Sequence, residues 1–501
     1  MTLFEQILTA RGLTTRAARQ AFLQPDYMAV KHDPFLLPDM KKAVARLRQA
    51  REHGEKIVIY GDYDIDGLSA TALLLDAFGK FGFEDVDTFI PNRFVEGYGM
   101  TMGAVDKVRD MGVDLIVTVD TGSLCHAEIA YATSLGIDTV VTDHHNVAET
   151  PPPSVAAVNP KFPGHTYPFR DLCGAGVAFK LVQALQTELD GLPDGYEKWL
   201  LDLVALGTVC DIVTLADENR ANVYWGLEVL KKQQRPGLKA LMAVAGIEPE
   251  QVNARHLGFG LGPRMNAAGR LETAQHALDM LVARDGLAAL EASEKLEELN
   301  VKRRIIQDAI FEEACVQAEQ LADDRVLVVS SDGWNHGVIG IVASKLVEKY
   351  KKPVFIIGER GEEATGSARS FGDFSAADAV RAADDIIIKG GGHGAAAGVT
   401  LETEKIGDFR RCVNEFYDSL QLTNQERYLL PRADVEIDDF SEIDEELVAN
   451  LAKMEPFGNG NPEPVLKITR ASVLSMRRMG ADGQHVKLAL RDKNGKVLQM
   501  L

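Results

Sequence analysis

The chain has 501 residues, 46% of them hydrophobic, enough apolar content for roughly two to four globular domains with real cores. Its 54 Lys and Arg against 74 Asp and Glu leave a net charge of −20, which excludes attachment to nucleic acid or an anionic membrane by bulk charge, although a local basic groove or bound cations could still reverse the sign at one site. Five scattered cysteines without a CxxC pair read as reduced, mostly buried thiols of a cytosolic protein and not as zinc ligands.

Residues 1–50 read as a helical cap, rich in Arg and Ala, broken by Pro25 and Pro34 and packed on the first domain. The N-terminus carries Glu5 and no long apolar core, and no later run approaches the ~18 apolar residues of a membrane span, so a soluble cytoplasmic protein is expected. From Lys56 onward, short β-branched runs at 57–60, 86–90, 115–119, 139–142 and 156–158 alternate with helical stretches. That rhythm predicts an α/β fold with a parallel sheet covered on both faces. In such sheets ligands sit beyond the carboxyl ends of the strands, which directs attention to the residues after each run.

The first run leads into GDYDIDGLSA (61–70), where Asp62, Asp64 and Asp66 recur at every second position. Extended geometry would crowd their carboxylates on one side of a loop, and such crowding needs cations; a solvated acidic turn is the bland alternative. Gly67 reads as the residue that lets the chain turn sharply. After the second run stand Asn92 and Arg93 in NRFVEGYG, at the end of the third Asp120, and after the fourth Asp143-His144-His145. Singly, each could be a helix cap or a satisfied core residue. Four strand ends delivering carboxylates, imidazoles and an arginine to one edge point to a metal site.

Two buried helices follow at 171–185 and 198–213, the second carrying Asp211 in an apolar context, either as a helix-terminal bond partner or as a late metal ligand. In LGPRMNAAGRL (261–271), Arg264, Asn266 and Arg270 lie among glycines and alanines, which suits close approach of a substrate backbone or a plain turn between helices. A charged helix-forming stretch, 286–324, reads as a connector whose Lys302-Arg303-Arg304 cluster is a solvated face, with a phosphate contact as the alternative. A second α/β unit then begins with a strand at 326–329, a helix at 338–348 and a strand at 353–357. It continues through a strand bearing GSARS, a helix at 374–382 and GGGHGAAAG (390–398). Glycines around His393 would expose backbone N–H groups to a phosphate, and Arg369 could add a bidentate contact; close helix packing is the alternative for the alanines. After a helix ending near Leu420, alternating residues predict the first strands of a small β-barrel, and the chain stops inside an apolar run at Leu501, as a partial sequence would.

With DYDIDG, NRFVEGYG, Asp120, the DHH triplet at 143–145, Asp211, LGPRMNAAGRL, GGHGAAAG and PFGNGNPEP (456–464) in this order, the chain resembles the bacterial RecJ-type single-stranded-DNA-specific exonucleases, a family of DHH phosphoesterases. The resemblance covers about residues 55–465. It implies a cap (1–50), a DHH catalytic domain (51–285), a connecting helix (286–324), a DHH-associated domain with the GGH motif (325–425) and the start of a truncated oligonucleotide-binding barrel (426–501). It also implies two Mn²⁺ or Mg²⁺ ions and release of mononucleotides from the 5′ end of single strands in repair and recombination. By position, Asp64, Asp66, Asp120, His144 and Asp211 become metal ligands with Asp120 as the bridge, and Asp62 joins them directly or through water. Asp143 would orient the imidazoles, and His145 would face the phosphate. Asn92, Arg93, Arg264, Asn266, Arg270, Arg369, Gly392 and His393 would hold the substrate. Asn335 stands where many members carry His after Trp334, so neither Asn335 nor His336 receives a role. The family also implies a single-strand-binding protein and a RecQ-type helicase as partners; a monomer without membrane attachment is expected. A DHH phosphodiesterase acting on dinucleotides or short oligonucleotides would lack the barrel, a replication scaffold would have lost ligands, and a pyrophosphatase would need neither the barrel nor 264–270.

Overall fold

The computed structural model describes residues 1–97, 99–480, 483 and 485–500, so Tyr98 of the NRFVEGYG motif and Leu501, where the last strand is expected to stop, lie outside the described residues. The chain divides into two compact units, one formed by residues 1–266, 274–294 and 432–501, the other by 267–273 and 295–431.

The first unit opens with α1 (Leu3–Ala10), α2 (Arg16–Leu23) and α3 (Tyr27–Val30), entered through Thr2, Thr15 and Asp26, whose side chains each accept from a backbone N–H of the first turn. A 3₁₀ turn begun by Pro34 leads to α4 (Met40–His53). The sheet is built from β1 (Ile57–Gly61), β2 (Val86–Phe89), β3 (Leu115–Val119), β4 (Asp138–Thr142) and β5 (Ala156–Val158), all parallel in the order β2-β1-β3-β4-β5. Every residue of β1 and β3 is buried, which is why IVIYG and LIVTV are apolar without alternation. Returning helices are α5 (Ile65–Phe81) between β1 and β2, α6 (Met102–Asp110) before β3, and α7 (His126–Ser134) before β4. Because β1, β3 and β4 are neighbours, the loops after them emerge side by side at one edge.

Beyond the sheet come α8 (Gly174–Glu188), α9 (Leu201–Cys210), α10 (Asp217–Lys231), α11 (Pro236–Val244), α12 (Gly262–Leu271) and α13 (Gln275–Val282). Both α8 and α9 pack on α5, and α10 packs on α9. The 261–271 segment is neither an open loop nor a turn. A single π-helical stretch at 256–261 runs straight into α12, whose Met265, Ala267 and Ala268 are fully buried, so its small residues serve packing.

The second unit contains most of α14 (Gly286–Gln320), then β6 (Leu327–Asp332), α15 (Ile339–Tyr350), β7 (Val354–Arg360), β8 (Glu363–Arg369), α16 (Ala376–Ala382), β9 (Ile387–His393), β10 (Ala396–Glu402) and α17 (Ile406–Ser419). Its sheet runs β6-β7-β8-β10-β9, parallel between β6 and β7 and antiparallel elsewhere. The GGGHGAAAG segment is the β9–β10 hairpin, so its alanines sit in a strand and not between helices. Of the basic cluster on α14, Lys302 and Arg304 are exposed as expected, whereas Arg303 is only 8% exposed and donates to Asn300 Oδ1 at 2.6 Å and Gln307 Oε1 at 2.7 Å. Two of its five N–H donors are thus taken by amides of its own helix, which a solvated face does not require.

The C-terminal stretch returns to the first unit as β11 (Val435–Ile437), α18 (Glu445–Ala452) and β12 (Leu466–Ile468), with β11 and β12 parallel. An antiparallel meander follows: β13 (Ser472–Met479), β14 (His485–Arg491) and β15 (Val497–Met500). These strands are OB-like, and among the described residues they form an open sheet and not a closed barrel. The N-terminal cap is divided: α4 packs on β5 and α8, while α1 buries Leu3, Ile7 and Leu8 against Ile437, Leu447 and Met454. Arg11, paired with Asp434 at 2.8 Å, fixes that contact. Among the described residues no helix is long and apolar enough to cross a membrane.

The junction of α9 and α10 leaves no room for a side chain at Gly226, where a Cβ would lie 2.2 Å from the carbonyl oxygen of Leu201. Gly226→Val is therefore expected to cost about 3 kcal/mol, read as a lower urea midpoint; an unchanged midpoint would contradict this packing.

Candidate metal centre

The acidic loop is organised by the start of α5. Asp64 is its N-cap: Oδ1 accepts from the N–H groups of Asp66 at 2.9 Å and Gly67 at 3.1 Å, leaving Oδ2 for another partner. Asp66, 1% exposed, points at the first turn of α8, where Gly174 N–H donates to Oδ2 at 2.5 Å and Ala175 N–H to Oδ1 at 2.9 Å. A helix N-terminus is a favourable place for a carboxylate, which stabilises a charge that burial opposes. Asp62 Oδ1 accepts from Tyr63 N–H at 2.8 Å. Gly67 does not make a sharp turn, as its backbone is that of α5; a Cβ there would lie 2.6 Å from the carbonyl oxygen of Asp62, so the residue is small for lack of space.

Asp120 follows β3 with φ +59°, in the left-handed region that a non-glycine residue enters at a cost of about 1–2 kcal/mol. The bend sets its buried carboxylate against His144, with Nε2 3.0 Å from Asp120 Oδ1, 3.5 Å from Asp211 Oδ2 and 3.7 Å from Asp66 Oδ2. Three overlapping donor sets have ligand atoms within 4.8 Å of one another: Asp62, Asp64 and Asp120; Asp66, His144 and Asp211; Asp120, His144 and His145. Asp120 Oδ1 and His144 Nε2 are buried and have no hydrogen-bond partner among the described residues. Buried polar atoms are almost always satisfied, so two orphans facing each other at the junction of donor sets fit a pair of divalent cations.

The remaining DHH residues brace this arrangement. Asp143 Oδ1 accepts from His144 N–H at 2.7 Å, His145 N–H at 3.1 Å and the His145 ring Nδ1–H at 2.9 Å, while Oδ2 accepts from Ser123 N–H at 2.9 Å. Asn159 Nδ2 donates to Ser123 Oγ at 2.8 Å and to the carbonyl of His145 at 3.0 Å. Asp143 thus orients the His145 ring directly, and His144 only through the backbone.

The residues expected to hold substrate are distributed between the units. In the first, Asn92 Oδ1 accepts from Phe94 N–H at 2.9 Å and shapes the loop after β2, and the Arg93 guanidinium lies 4.4 Å over the Tyr63 ring. Arg264 donates to the carbonyl of Gly260 at 2.8 Å, one turn back, and Asn266 is half-buried on α12. In the second, Arg270 donates to the carbonyl of Gly337 at 2.8 Å. Asn335 Oδ1 accepts from Gly337 N–H at 2.8 Å within the local turn, and His336 Nε2 lies 3.2 Å from the carbonyl of Gly358 on β7. Arg369 and His393 are each registered opposite Ala396, so they flank it in one row across β8, β10 and β9, roughly two strand spacings, ~9.6 Å, apart and on one face. Gly392, with φ +148°, could not carry a Cβ, which would fall 2.4 Å from the carbonyl of Ala396.

Comparison with known proteins agrees with this geometry. Residues 56–208 match the N-terminal domain of the DHH family, 323–419 the DHHA1 domain and 433–501 the RecJ OB domain. The single-stranded-DNA-specific exonuclease RecJ of Salmonella typhimurium is 35% identical over 484 residues, covering 92% of this chain and 82% of that protein. The chain belongs to the RecJ family of DHH proteins. The RecJ of Bacillus subtilis is 39% identical over 499 residues, 99% of this chain but 62% of that relative's length, so the chain spans less than two thirds of it. The crystal structure of Thermus thermophilus RecJ in complex with Mn²⁺ superposes with a TM-score of 0.82 at 30% identity, covering 99% of this chain and 70% of that one.

Several residues of this RecJ-family site escape the sequence motifs. Gly174 and Ala175 contribute only backbone N–H groups, and Gly207 contributes only absence, since a Cβ there would lie 2.4 Å from Asp66 Oδ1. The signal was the small-residue run CGAG at a helix start, read as plain helix. Ser123 and Asn159 carried no signal of their own.

Burial and neighbouring carboxylates push Asp62 and Asp211 up to about 8 and Asp66 to about 6, and Asp120 well above the ordinary range. Burial and the charge of His145 lower His144 to about 3, so its Nε2 is free to ligate. His145 is raised to about 9: burial opposes its charge, but the hydrogen bond and charge of Asp143 prevail, and His145 in turn lowers Asp143. From about pH 4 to 8 the folded state therefore holds protons on these aspartates that the unfolded chain has released, so the cluster's contribution to stability falls as pH rises. His145 adds to the same trend, its contribution being full below about pH 6.5 and lost through pH 9. A divalent cation replaces those protons and binds tighter as pH rises. The increase in melting temperature given by Mn²⁺ should thus be larger at pH 8 than at pH 6; an equal or smaller increase at pH 8 would contradict the assignment.

Proposed function

We propose that this chain is a metal-dependent exonuclease that hydrolyses single-stranded DNA from the 5′ end to mononucleotides, in DNA repair and recombination. The observation that carries the reading is the pair of orphaned ligand atoms, Asp120 Oδ1 and His144 Nε2, at the junction of three donor sets. Relatives covering 92% or more of the chain bear the name of single-stranded-DNA-specific exonuclease, and a structural neighbour holds Mn²⁺.

In this reading Asp62, Asp64, Asp66, Asp120, His144 and Asp211 would hold two Mn²⁺ or Mg²⁺ ions. Such ions would supply an activated water and stabilise charge on the attacked phosphoryl group. The protein's own part is placement. Asp64 and Asp66 are fixed by backbone N–H groups before any ion arrives, and Asp143 holds the cationic His145 ring beside Asp120, its Nδ1 3.7 Å from Oδ1, where it faces the phosphate. Arg93, steadied on Tyr63, and Asn92 line the substrate side of the centre. Arg264 and Asn266 on α12, Arg270 at the end of the same helix, and the Arg369 and His393 row beside Gly392 supply backbone contacts to the strand.

We propose functional domains comprising a cap at 1–50, catalytic residues at 51–285, a connector at 286–324, an associated domain at 325–425 and OB-like residues from 426. We place the activity in the cytoplasm, where free cysteines stay reduced. A single-strand-binding protein and a RecQ-type helicase are the proposed partners, as providers of protected and unwound strands.

End-labelled single-stranded DNA, duplex DNA, single-stranded RNA and pyrophosphate, each incubated with Mn²⁺, test the proposal. Mononucleotides should come from single-stranded DNA alone and vanish in Asp120→Ala. Robust cleavage of duplex or pyrophosphate, or an active Asp120→Ala variant, would refute it.

A further inference from the structure

The PFGNGNPEP motif has no place in the chemistry above, yet the structure lays it against the turn that follows Asp211. Helix α9 ends there, with Asp211 N–H donating to the carbonyl of Gly207 at 2.9 Å. The next residue, Ile212, has φ +59°. A β-branched side chain is a poor occupant of the left-handed region, and Ile212 is 70% exposed, so its own packing does not hold it there. What meets this turn is the 458–461 loop. Asn459 Nδ2 donates to the carbonyl of Ile212 at 2.8 Å, and Leu215 N–H donates to the carbonyl of Asn459 at 2.8 Å. The contact is close on both sides: at Gly460, whose φ is +75°, a Cβ would lie 2.2 Å from Thr214 Oγ1, and at Gly458 one would lie 2.8 Å from Leu215 Cδ1.

The loop is itself rigidly mounted. Gly458 and Asn461 exchange backbone hydrogen bonds at 2.9 and 3.1 Å. Asn461, 3% exposed, donates to the carbonyls of Met454 and Pro456 and accepts from Arg11 at 2.8 Å. Arg220, 5% exposed, donates to the carbonyls of Phe22, Met454, Glu455 and Pro456 and lies 3.8 Å over the Phe22 ring. A buried guanidinium satisfied by carbonyls alone fixes main chain, which is what a mount requires.

We propose that Asn459 is a positioning residue for the metal centre: the 458–461 loop latches the strained turn at Ile212 and so holds the Asp211 carboxylate in place for its cation. The inference rests on the reading of Asp211 as a metal ligand. The latch lies in the C-terminal stretch, 247 residues beyond Ile212, so it links the folding of that stretch to metal affinity.

Mn²⁺ affinity, measured by calorimetry on the full chain at pH 8, separates the outcomes, with the melting temperature of the metal-free protein as a control for packing. Asn459→Ala should weaken Mn²⁺ binding about fivefold, the value of one hydrogen bond, with little change in that melting temperature. Ile212→Gly added to Asn459→Ala should restore the affinity to within about twofold, because glycine holds a positive φ without the latch. Asp211→Ala is the reference. If Asp211→Ala weakens binding and Asn459→Ala does not, or if Ile212→Gly fails to restore it, the latch is overturned. If Asp211→Ala itself leaves affinity unchanged, the ligand reading falls and the latch with it.

Discussion

The constraint on which the rest depends is the repulsion among aspartates gathered in one buried space. Two carboxylates about 4 Å apart repel by roughly 4 kcal/mol at a dielectric near 20, and Asp62, Asp64, Asp66, Asp120 and Asp211 share three overlapping donor sets. Burial makes each charge dearer still. The fold holds these groups together with the few means available, protonation or a bound cation. Its local devices stabilise individual carboxylates without quenching the whole: two N–H groups of α8 on Asp66, the N-cap geometry of Asp64, and three donors from residues 144 and 145 with a fourth from Ser123 on Asp143. What these leave unsatisfied, Asp120 Oδ1 and His144 Nε2, is where a cation would offset the crowding.

The topology makes such a gathering feasible. Adjacent parallel strands β1, β3 and β4 end at one edge, so residues distant in sequence arrive together without long loops. Asp211 comes from another layer, the end of α9, which explains why Gly207 and Gly226 must be bare: one admits Asp66, the other lets α10 close on α9. In the second unit, antiparallel pairing aligns Arg369 and His393 across Ala396 in one row.

Much of this was legible beforehand, for identifiable reasons. Apart from the half-buried edge strand β2, the strands of the first sheet are almost wholly buried and so read as short apolar runs, and the aspartates and DHH triplet stand immediately after β1, β3 and β4. Side chains that project chemistry announce themselves by type. The misreadings share a different cause. Gly67 and the 261–271 segment read in sequence as what glycine and alanine permit in loops, whereas the structure uses them for close packing in helices; in GGGHGAAAG only the alternative of helix packing fails, since the segment is an exposed hairpin. Arg303 was read as solvated because its amide partners lie one turn away on the same helix face. Backbone donors such as Gly174 and Ala175, and the latch of Asn459 on Ile212, depend on tertiary approach and leave almost no trace in a single sequence. The division of the N-terminal cap between the sheet and the C-terminal stretch is of the same kind, since the apolar face of α1 does not name its partner.

The central claim is that the buried aspartates and His144 exist to share a pair of ions. Anomalous diffraction at the manganese edge, from crystals of this chain soaked in Mn²⁺, tests it most directly. Two peaks about 3.5–4 Å apart, both within bonding distance of Asp120 and one also contacting His144, are the predicted result. An empty pocket, or manganese bound only at surface carboxylates elsewhere, would contradict it.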